Sequence, residues 1–472
     1  MVQRKFTFDD QMAFAELSGD YNPLHVDPVA ARRLIFGRPV VHGVHAFLWA
    51  LDNWLEEYRI PLDLCAVRVV FRSAIGVDET VNSSISCEGK NHVEIELVGE
   101  IDNAARIYVD WSHSKSQRSE FLSTEHPEKR KCRTLSTEEV ATASGSLELY
   151  LNLESAAKLF PNLARILPPI QVAVILGTTC LVGMECPGLH SMFSELNLAF
   201  STETDGPPVL SYEVVSCDAR FSLLSMKIEA PGMEGEIRAF LRPAPQEQAS
   251  FVDLRRQITA GEFAEQRALI IGGSRGLGEV TAKLLSAGGA EVKITYYQGS
   301  EDAHSVVEEI ISGGGSAACL AFDVLNQPKS LADIFKNPWT PNYLYYFATP
   351  FIFMATKGVF SSQLFQKFCD YYVTGFINTV QTVRNLGGDL KKIFYPSSVS
   401  IDELPLDMGE YTAAKMAGES LCTFLAKANP DIVIHKPRLP RTATDQTATL
   451  FSVNNEDPIM LMLENLRCLR DA

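Results

Sequence analysis

From residue 267 onward, short apolar runs alternate with stretches of helical pattern. The first run, residues 267–271, is followed by a glycine-rich turn and then by a helical pattern that begins near Val280. Strand, turn and helix in regular succession predict parallel strands joined by crossover helices. We therefore expect a Rossmann-like, doubly wound parallel α/β sheet, with later strands at 291–296, 317–322, 343–347, 393–396 and 432–435.

The first 245 residues follow a different order, in which one helix precedes several strands. A wide apolar stripe over residues 44–58 predicts a buried helix, and four strand-like runs follow it. After a polar segment and a strand at 147–153, a proline-started helix at 170–182 and four more strand-like runs repeat this order. Two α+β units, each an antiparallel sheet wrapped around one helix, are expected. The predicted domains are 1–115, 144–245 and 263–472, with linkers at 116–143 and 246–262.

The net charge of −16 restricts the classes of partner. A negative field of this size repels phosphate backbones and acidic bilayers, so neither nucleic acid nor a membrane is expected as a partner. The uncharged stretch 166–184 suggests a transmembrane helix by its length, but prolines, a glutamine and a glycine dilute it, and we expect a buried helix. The N-terminus lacks a signal-peptide pattern and the ten cysteines form no metal-type cluster. A cytoplasmic protein with reduced thiols and no bound metal is expected.

The turn after the first strand of the α/β region has the composition of a phosphate-binding loop. Glycines permit a tight turn and bring backbone N–H groups close to a pyrophosphate at the N-terminus of the next helix. The residues expected to bind a cofactor there are Gly272, Ser274, Arg275, Gly276, Leu277 and Gly278.

Three residues farther along predict ketone chemistry. Tyr411 and Lys415 lie four residues apart on one predicted helix face, and Ser398 precedes Tyr411 by thirteen residues. Reduction by hydride needs a proton donor at the carbonyl oxygen, and a tyrosine is too weak an acid until a cation favours its phenolate. We expect Tyr411 to donate the proton, Lys415 to supply the cation and Ser398 to hold the oxygen. An ordinary surface pair of tyrosine and lysine is the alternative.

Residues 264–472 resemble the short-chain dehydrogenase/reductase family in the Gly-x-x-x-Gly-x-Gly turn, the serine and the Tyr-x-x-x-Lys motif. The resemblance implies a nicotinamide cofactor, with Asp323 at the adenine ring and further contacts from Thr442 and Lys415. No acidic residue ends the second strand, where residues 295–298 are Thr-Tyr-Tyr-Gln, and Arg275 is placed to meet a 2′-phosphate. NADP(H) is therefore expected rather than NAD(H).

The sequence departs from that family at three places. Tyr372 stands where the family has a catalytic asparagine, and residues 346–349 replace its Asn-Asn-Ala-Gly stretch. After a last helix predicted at 458–469, the final strand that the family uses in dimer packing is missing. Two expectations therefore stay open, an active reductase and a weakened nucleotide-binding module, and a homodimer is also an open expectation.

A second set of reactive residues lies near the N-terminus, in residues 14–28 (FAELSGDYNPLHVDP). Asp20 and His25 flank an Asn22-Pro23 turn, which can aim a carboxylate and an imidazole at one water molecule. Gly43 follows a Val-Val-His run at the start of a predicted helix, where a backbone N–H can stabilise a developing oxyanion. The alternative is that Asp20 only caps the turn and His25 is a hydrogen-bonded core residue.

These two runs closely resemble the motif of MaoC-like, (R)-specific enoyl-thioester hydratases. The resemblance implies a hot-dog fold, catalytic Asp20 and His25, and a thioester oxygen bound at the Gly43 N–H. His42 and His45 are interpreted as structural. The matching stretch of the second half, residues 154–169, contains neither Gly-Asp nor His, so residues 144–245 are expected to be a degenerate second hot dog in a double hot-dog domain.

The two predicted reactions are consecutive. A reductase converts a 3-oxoacyl thioester to its 3-hydroxy form, and a dehydratase interconverts that alcohol with the 2-enoyl thioester. The sequence therefore predicts a bifunctional NADPH-dependent 3-oxoacyl-thioester reductase and (R)-3-hydroxyacyl-thioester dehydratase, or enoyl hydratase, acting on acyl-coenzyme A or acyl carrier protein. An NAD preference would favour the oxidative direction. The alternatives are a hydratase with an inactive or differently specific reductase-like module, and a nonenzymatic scaffold.

Overall fold

The computed structural model describes residues 1–100, 102–114, 129–201, 206–326, 339–450 and 453–472. The chain divides into two compact units. The main part of the first unit is Met1–Ala244, and the second consists of Pro245–Ala448 and Val453–Ala472. Residues 116–128 of the predicted linker at 116–143 lie outside the described residues.

The first unit contains one continuous antiparallel sheet. Its strands are β1 (Val2–Lys5), β2 (Leu62–Phe71), β3 (Thr80–Glu88), β4 (His92–Val98), β5 (Asn103–His113), β6 (Ser144–Glu148), β7 (Ser191–Phe200), β8 (Val209–Asp218), β9 (Leu223–Ala230) and β10 (Met233–Leu241). Their order is β1-β3-β4-β5-β2-β7-β10-β9-β8-β6. Strands β2 and β7 join the two halves through the pairs Ala66–Ala199 to Val70–Glu195.

Each half of this sheet packs against one long buried helix, α4 (Gly43–Trp54) or α8 (Pro169–Cys180). The other helices are α1 (Phe8–Ser18), α2 (Pro23–Val26), α3 (Pro28–Ala31), α5 (Thr137–Ala141), α6 (Leu153–Leu159) and α7 (Pro161–Ile166). A 3₁₀ turn (Leu55–Glu57) extends α4, and a π-helical turn (Leu181–Glu185) extends α8. One helix and one antiparallel sheet in each half confirm the predicted hot-dog fold.

The uncharged stretch 166–184 forms α8 and its π-helical extension, and Val174, Ile175 and Leu181 there are fully buried. Among the described residues, no helix has the length and apolar content needed to cross a membrane. The strand expected at 147–153 is shorter, because β6 ends at Glu148 and the Asn152 side chain accepts a hydrogen bond from Ser155 N to start α6.

The second unit contains a parallel sheet in the order β13-β12-β11-β14-β15-β17. The strands of the unit are β11 (Arg267–Ile271), β12 (Glu291–Tyr296), β13 (Ser316–Ala321), β14 (Tyr343–Tyr346), β15 (Lys392–Phe394), β16 (Ser397–Ser398), β17 (Val433–His435) and β18 (Arg438–Leu439), with β16 and β18 paired separately. The sequential order reverses between β11 and β14, which is where ligands bind in sheets of this type. The predicted doubly wound α/β fold is therefore confirmed.

Helices of the second unit flank that sheet. They are α9 (Phe251–Arg255), α10 (Gly276–Ala287), α11 (Ser300–Ser312), α12 (Ser362–Cys369), α13 (Phe376–Asn385), α14 (Ser400–Glu403), α15 (Gly409–Ala428) and α16 (Pro458–Asp471), with a π-helical turn (Asp370–Gly375) and a 3₁₀ turn (Asp445–Thr447). Helix α9 lies inside the predicted linker at 246–262, and its Phe251 and Leu254 are buried in the core of this unit.

Candidate active sites

The chain between α1 and α2 brings Asp20 and His25 together. Helix α1 ends at Gly19, whose φ of +75° is the left-handed conformation that glycine adopts most readily at a helix end. The Asn22 side chain then accepts a hydrogen bond from Leu24 N and starts α2, with Pro23 as its first residue. This short turn places the carboxylate before α2 and the imidazole within it.

Asp20, His25 and His42 form a cluster in which one ligand-type atom from each lies within 4.8 Å of the others, with Asp20 and His42 buried and His25 half-buried. The Nδ1 atom of His25 is 2.8 Å from the Val40 carbonyl oxygen, which can only accept, so Nδ1 carries the proton and Nε2 keeps its lone pair. The His42 ring stacks on the His25 ring at 3.9 Å, and its Nε2 lies 4.0 Å from Asp20 Oδ2. Such spacing suits a metal ion, and it also leaves room for one water molecule between these atoms.

Burial dominates the electrostatics of this cluster. The Asp20 side chain is only 2% exposed, and desolvation raises its pKa above the ordinary value. Desolvation also lowers the pKa of His25 and of His42 to about 3. Both imidazoles are therefore neutral at neutral pH, and the Nε2 lone pair of His25 can accept a hydrogen bond.

Gly43 is the first residue of α4, so its N–H belongs to the first turn and has no acceptor within the helix. A Cβ atom at this position would lie 2.9 Å from Cε1 of Phe71. The missing side chain thus lets an aromatic ring pack over the helix N-terminus. A polarised oxygen at this N-terminus would meet backbone N–H groups and the positive end of the helix dipole.

The second half of this unit supplies contacts to the cluster that no sequence motif indicated. The Thr179 hydroxyl donates a hydrogen bond to Asp20 Oδ2 at 2.6 Å. The Asn22 side-chain amide donates to the carbonyl oxygens of Gly183 at 3.0 Å and Gly188 at 3.2 Å. The buried Arg242 donates to the Ser191 carbonyl oxygen and to Asn22 Oδ1, and burial lowers its pKa to about 10.

The two histidines that were interpreted as structural differ in their surroundings. His45 packs between aromatic rings, stacked on Phe14 at 4.6 Å and edge-on to Phe6 at 4.8 Å. His42 instead lies inside the cluster, with its backbone N–H bonded to Gln11 Oε1 at 3.0 Å. Its position directly before Gly43 was the available signal for this placement.

In the second unit, the glycine turn joins β11 to α10. Gly272 has a φ of +81°, and its N–H donates to Thr295 Oγ1 at 3.0 Å. A Cβ atom on Gly278 would lie 2.1 Å from the Gly272 carbonyl oxygen, so only glycine permits this close packing of helix and turn. Backbone atoms rather than side chains therefore lie beside the N-terminus of α10. Such a turn fits a dinucleotide pyrophosphate.

Three of the other predicted cofactor residues, Arg275, Asp323 and Thr442, each have a protein partner. Arg275 Nη1 lies 3.5 Å from Oδ2 of the buried Asp445. Asp323 accepts hydrogen bonds from Leu325 N at Oδ1 and from Asn326 Nδ2 at Oδ2, both at 2.9 Å. The hydroxyl of Thr442 donates to the Pro440 carbonyl oxygen at 2.9 Å. Their roles in cofactor binding stay predictions.

Ser398, Tyr411 and Lys415 are brought together by β16 and α15. Burial raises the pKa of Tyr411 to about 12, and a hydrogen bond between Ser398 and the phenol acts in the opposite direction. The Lys415 ammonium donates to the Pro396 carbonyl oxygen at 2.7 Å, and burial lowers its pKa to about 7. The predicted tuning of the phenol by a lysine charge therefore requires Lys415 to be protonated against its burial.

Aromatic rings enclose the Lys415 ammonium. Its Nζ atom lies 4.1 Å from the ring centroid of Tyr372, 5.3 Å from that of Tyr395 and 5.7 Å from that of Tyr411. The Tyr372 hydroxyl is 2.6 Å from Thr349 Oγ1. Tyr372, which replaces the expected asparagine, thus faces the lysine with its ring and bonds elsewhere with its hydroxyl.

Comparison with known families identifies both parts of the chain. Residues 1–106 match the MaoC like domain family, and residues 266–447 match the short chain dehydrogenase family. The chain therefore carries a MaoC-like domain at its N-terminus and a short-chain dehydrogenase domain at its C-terminus, which confirms both resemblances.

Relatives of each domain are known. Over 60 residues the chain is 46% identical to an (R)-specific enoyl-CoA hydratase of Aeromonas caviae, and over 61 residues it is 46% identical to a 3-oxoacyl-[acyl-carrier-protein] reductase of Synechocystis sp.. Over 87 residues it is 34% identical to the peroxisomal hydratase-dehydrogenase-epimerase of Neurospora crassa. These matches cover 13%, 13% and 18% of this chain, and 43%, 25% and 9% of the three relatives. A solved short chain dehydrogenase from Burkholderia cenocepacia in complex with NADP is 26% identical with a TM-score of 0.35, over 40% of this chain and 78% of that one.

Proposed function

We propose that this chain is a bifunctional enzyme, an enoyl-thioester hydratase or 3-hydroxyacyl-thioester dehydratase joined to an NADPH-dependent 3-oxoacyl-thioester reductase. The observation that carries the proposal is the presence of two clusters of reactive side chains in one chain. Asp20 and His25 lie together in the first unit, and Ser398, Tyr411 and Lys415 lie together in the second.

The chemistry of the first set follows from its charges. Hydration adds a hydroxyl at C3 and a proton at C2 of a 2-enoyl thioester, and dehydration removes both. A carboxylate at Asp20 and the neutral imidazole of His25 can both accept hydrogen bonds from one water molecule, and one of them carries the proton between that water and C2. The Gly43 N–H at the start of α4 would stabilise the thioester oxygen as negative charge develops there.

The chemistry of the second set requires a nicotinamide cofactor, which supplies the hydride when bound. The glycine turn at the N-terminus of α10 would hold its pyrophosphate. Ser398 would hold the substrate carbonyl oxygen, and Tyr411 would give it a proton. Protonated Lys415 would favour loss of that proton by stabilising the phenolate.

The two sets act on one substrate class. The product of 3-oxoacyl reduction is the substrate for dehydration, so an acyl group on coenzyme A or on acyl carrier protein would serve both. The named activities of the Aeromonas and Synechocystis relatives support this assignment. A homodimer and a cytoplasmic location stay predictions from the sequence.

For the cofactor we propose NADP(H). The end of β12 and the residues after it present Thr295, Tyr296, Tyr297 and Gln298, without a carboxylate to bind a free ribose 2′-hydroxyl. Arg275 lies at the start of α10, where its charge is shared with Asp445. Titration with NADPH and NADH in parallel tests this choice, and a lower KM for NADH would reverse it together with the proposed direction of reaction.

A second candidate function is hydration alone, with the reductase fold serving as a nucleotide-binding module. The observation that favours it is Tyr372, whose ring rather than a hydrogen-bonding amide faces Lys415. Without that amide, a proton relay from the lysine has to follow another route.

A paired assay on one purified sample separates the two candidates. It measures NADPH consumption with a 3-oxoacyl thioester and hydration of a 2-enoyl thioester. The bifunctional proposal predicts both activities, with NADPH consumption reduced about 10²-fold or more in Tyr411→Phe and hydration unchanged. If the sample hydrates an enoyl thioester but consumes no NADPH with 3-oxoacyl thioesters of any chain length, only the second candidate, a hydratase without reductase activity, remains.

A further inference from the structure

We propose that Thr179, in the half of the double hot dog that lacks the Asp–His motif, is a positioning residue for the catalytic Asp20. The inference rests on the proposed hydratase function. It assigns to the degenerate half a direct part in the reaction, beyond completing the sheet.

The contact between the two halves is short and buried. Thr179 lies near the C-terminal end of α8, and its hydroxyl donates to Asp20 Oδ2 at 2.6 Å. The two side chains are 4% and 2% exposed, so water cannot replace the bond. The other carboxylate oxygen, Oδ1, accepts from Asn22 N at 3.1 Å. Asp20 is therefore held at both oxygens, once by its own turn and once by the second half.

This hydrogen bond affects both the position and the charge of the carboxylate. Burial disfavours the ionised form of Asp20, whereas the Thr179 hydroxyl favours it by donating to the charged oxygen. A group without a proton to donate would leave the buried Oδ2 without this partner. The carboxylate would then be free to rotate away from His25 and would hold its proton more tightly.

The neighbouring threonine shows that the arrangement is specific. Thr178 is also buried, but its hydroxyl donates to the Ile175 carbonyl oxygen of the same helix at 2.7 Å. Two adjacent threonines in α8 thus make different bonds, one within the helix and one to the catalytic carboxylate. Thr178 is therefore a matched control for Thr179.

Contacts with the surrounding backbone hold Thr179 and Asp20 in position relative to each other. The Asn22 side chain of the catalytic turn donates to the Gly183 carbonyl oxygen, in the π-helical turn that follows α8. A Cβ atom on Gly183 would lie 2.1 Å from Asp20 Oδ1, so the carboxylate packs directly on this turn. π-Helical turns occur often at functional sites, and this one receives the reacting group of the other half.

The test compares Thr179→Val, Thr179→Ser and Thr178→Val in the full chain. We expect kcat/KM for hydration of a 2-enoyl thioester to fall about ten- to hundredfold in Thr179→Val, with most of the loss in kcat. In the pH profile, the limb that reports ionisation of Asp20 should move to higher pH, because the hydrogen bond that favours the carboxylate is lost. Thr179→Ser should restore both quantities, and Thr178→Val should match the wild type in both.

A second readout does not depend on activity. The ¹³C signal of the Asp20 carboxyl, assigned by its loss in Asp20→Asn, should titrate at higher pH in Thr179→Val than in Thr178→Val. Equal titration curves, or a Thr179→Ser variant as impaired as Thr179→Val, would overturn the inference. If the wild type hydrated no enoyl thioester, the proposed function would fail, while the carboxyl titration would still decide whether Thr179 controls Asp20.

Discussion

Replacement of Gly183 by alanine should displace the carboxylate of Asp20, the proposed catalytic acid or base, without removing it. The new Cβ atom would lie 2.1 Å from Asp20 Oδ1 and 2.6 Å from Oδ2, where ordinary contact begins at 3.4 Å. Asp20 Oδ1 must therefore retreat by about 1.3 Å, the difference between 3.4 and 2.1 Å. We expect this movement to disturb the 2.6 Å hydrogen bond that Asp20 accepts from Thr179.

The displacement predicts the size of the effect. Catalytic groups must be held to within about 0.5 Å of their productive position, and an error of about 1 Å costs about 10²-fold in rate. We expect kcat/KM for hydration to fall about 10²-fold in Gly183→Ala, equivalent to about 2.7 kcal/mol. The assay follows the loss of ultraviolet absorbance as the conjugated enoyl thioester is hydrated.

Gly177→Ala is the matched control, because this glycine lies in the same helix and its Cβ would meet only methyl groups of Leu149 and Leu210. NADPH-dependent reduction by the same samples controls for general damage. The reasoning would be refuted if kcat/KM for hydration in Gly183→Ala were within threefold of that in Gly177→Ala and the two variants had the same pH profile. Asp20 would then not react from the position that the structure gives it.

Two further predictions concern buried charges. Asp20→Asn should reduce hydration about 10²-fold or more, yet raise the free energy of unfolding at neutral pH. Burial raises the Asp20 pKa above 3.8, so the wild type loses stability as the pH rises through the folded value, and the asparagine variant does not. Urea unfolding at several pH values checks this, and a difference that does not grow with pH would contradict it. Between pH 7 and 10.5 Lys415 keeps its proton in the unfolded chain but not in the folded one, where its pKa is about 7. The stability of the wild type should therefore rise with pH over this range, and Lys415→Met should remove that rise. Melting curves without added cofactor measure this rise, and a constant difference between wild type and variant would contradict it.

Much of the fold was predictable because its signals are local. Pro168 and Pro169 mark the start of α8, and the apolar stripe after residue 43 gives α4 within a few residues of its observed bounds. Helix α9 was missed, although Ser250 caps it through Asp253 N, because five residues are too few for a periodic pattern. Local capping chemistry can thus mark a helix that hydrophobic periodicity cannot detect.

The candidate catalytic residues could be selected from the sequence for the same reason, whereas the residues that contact them could not. Asp20 and His25 lie five positions apart in one turn, so a short motif carries them. Thr179 reaches Asp20 across 159 positions of sequence, and an isolated threonine in an apolar helix has no pattern to mark it. Such long-range contacts depend on the pairing of β2 with β7, which fixes how the two halves meet.

The contacts between the halves explain how one of them could lack the catalytic motif and still be constrained. A carboxylate that is 2% exposed needs donors, and one of its donors, Thr179, comes from the half without the motif. The same half supplies Arg242, a buried cation that further lowers the pKa of His25 and so helps to keep that imidazole neutral. Although this half contains no Asp–His pair, it contributes contacts to the Asp–His pair of the other half. Substitutions there should be tolerated where the missing motif would have been, and poorly tolerated at Thr179 and Gly183.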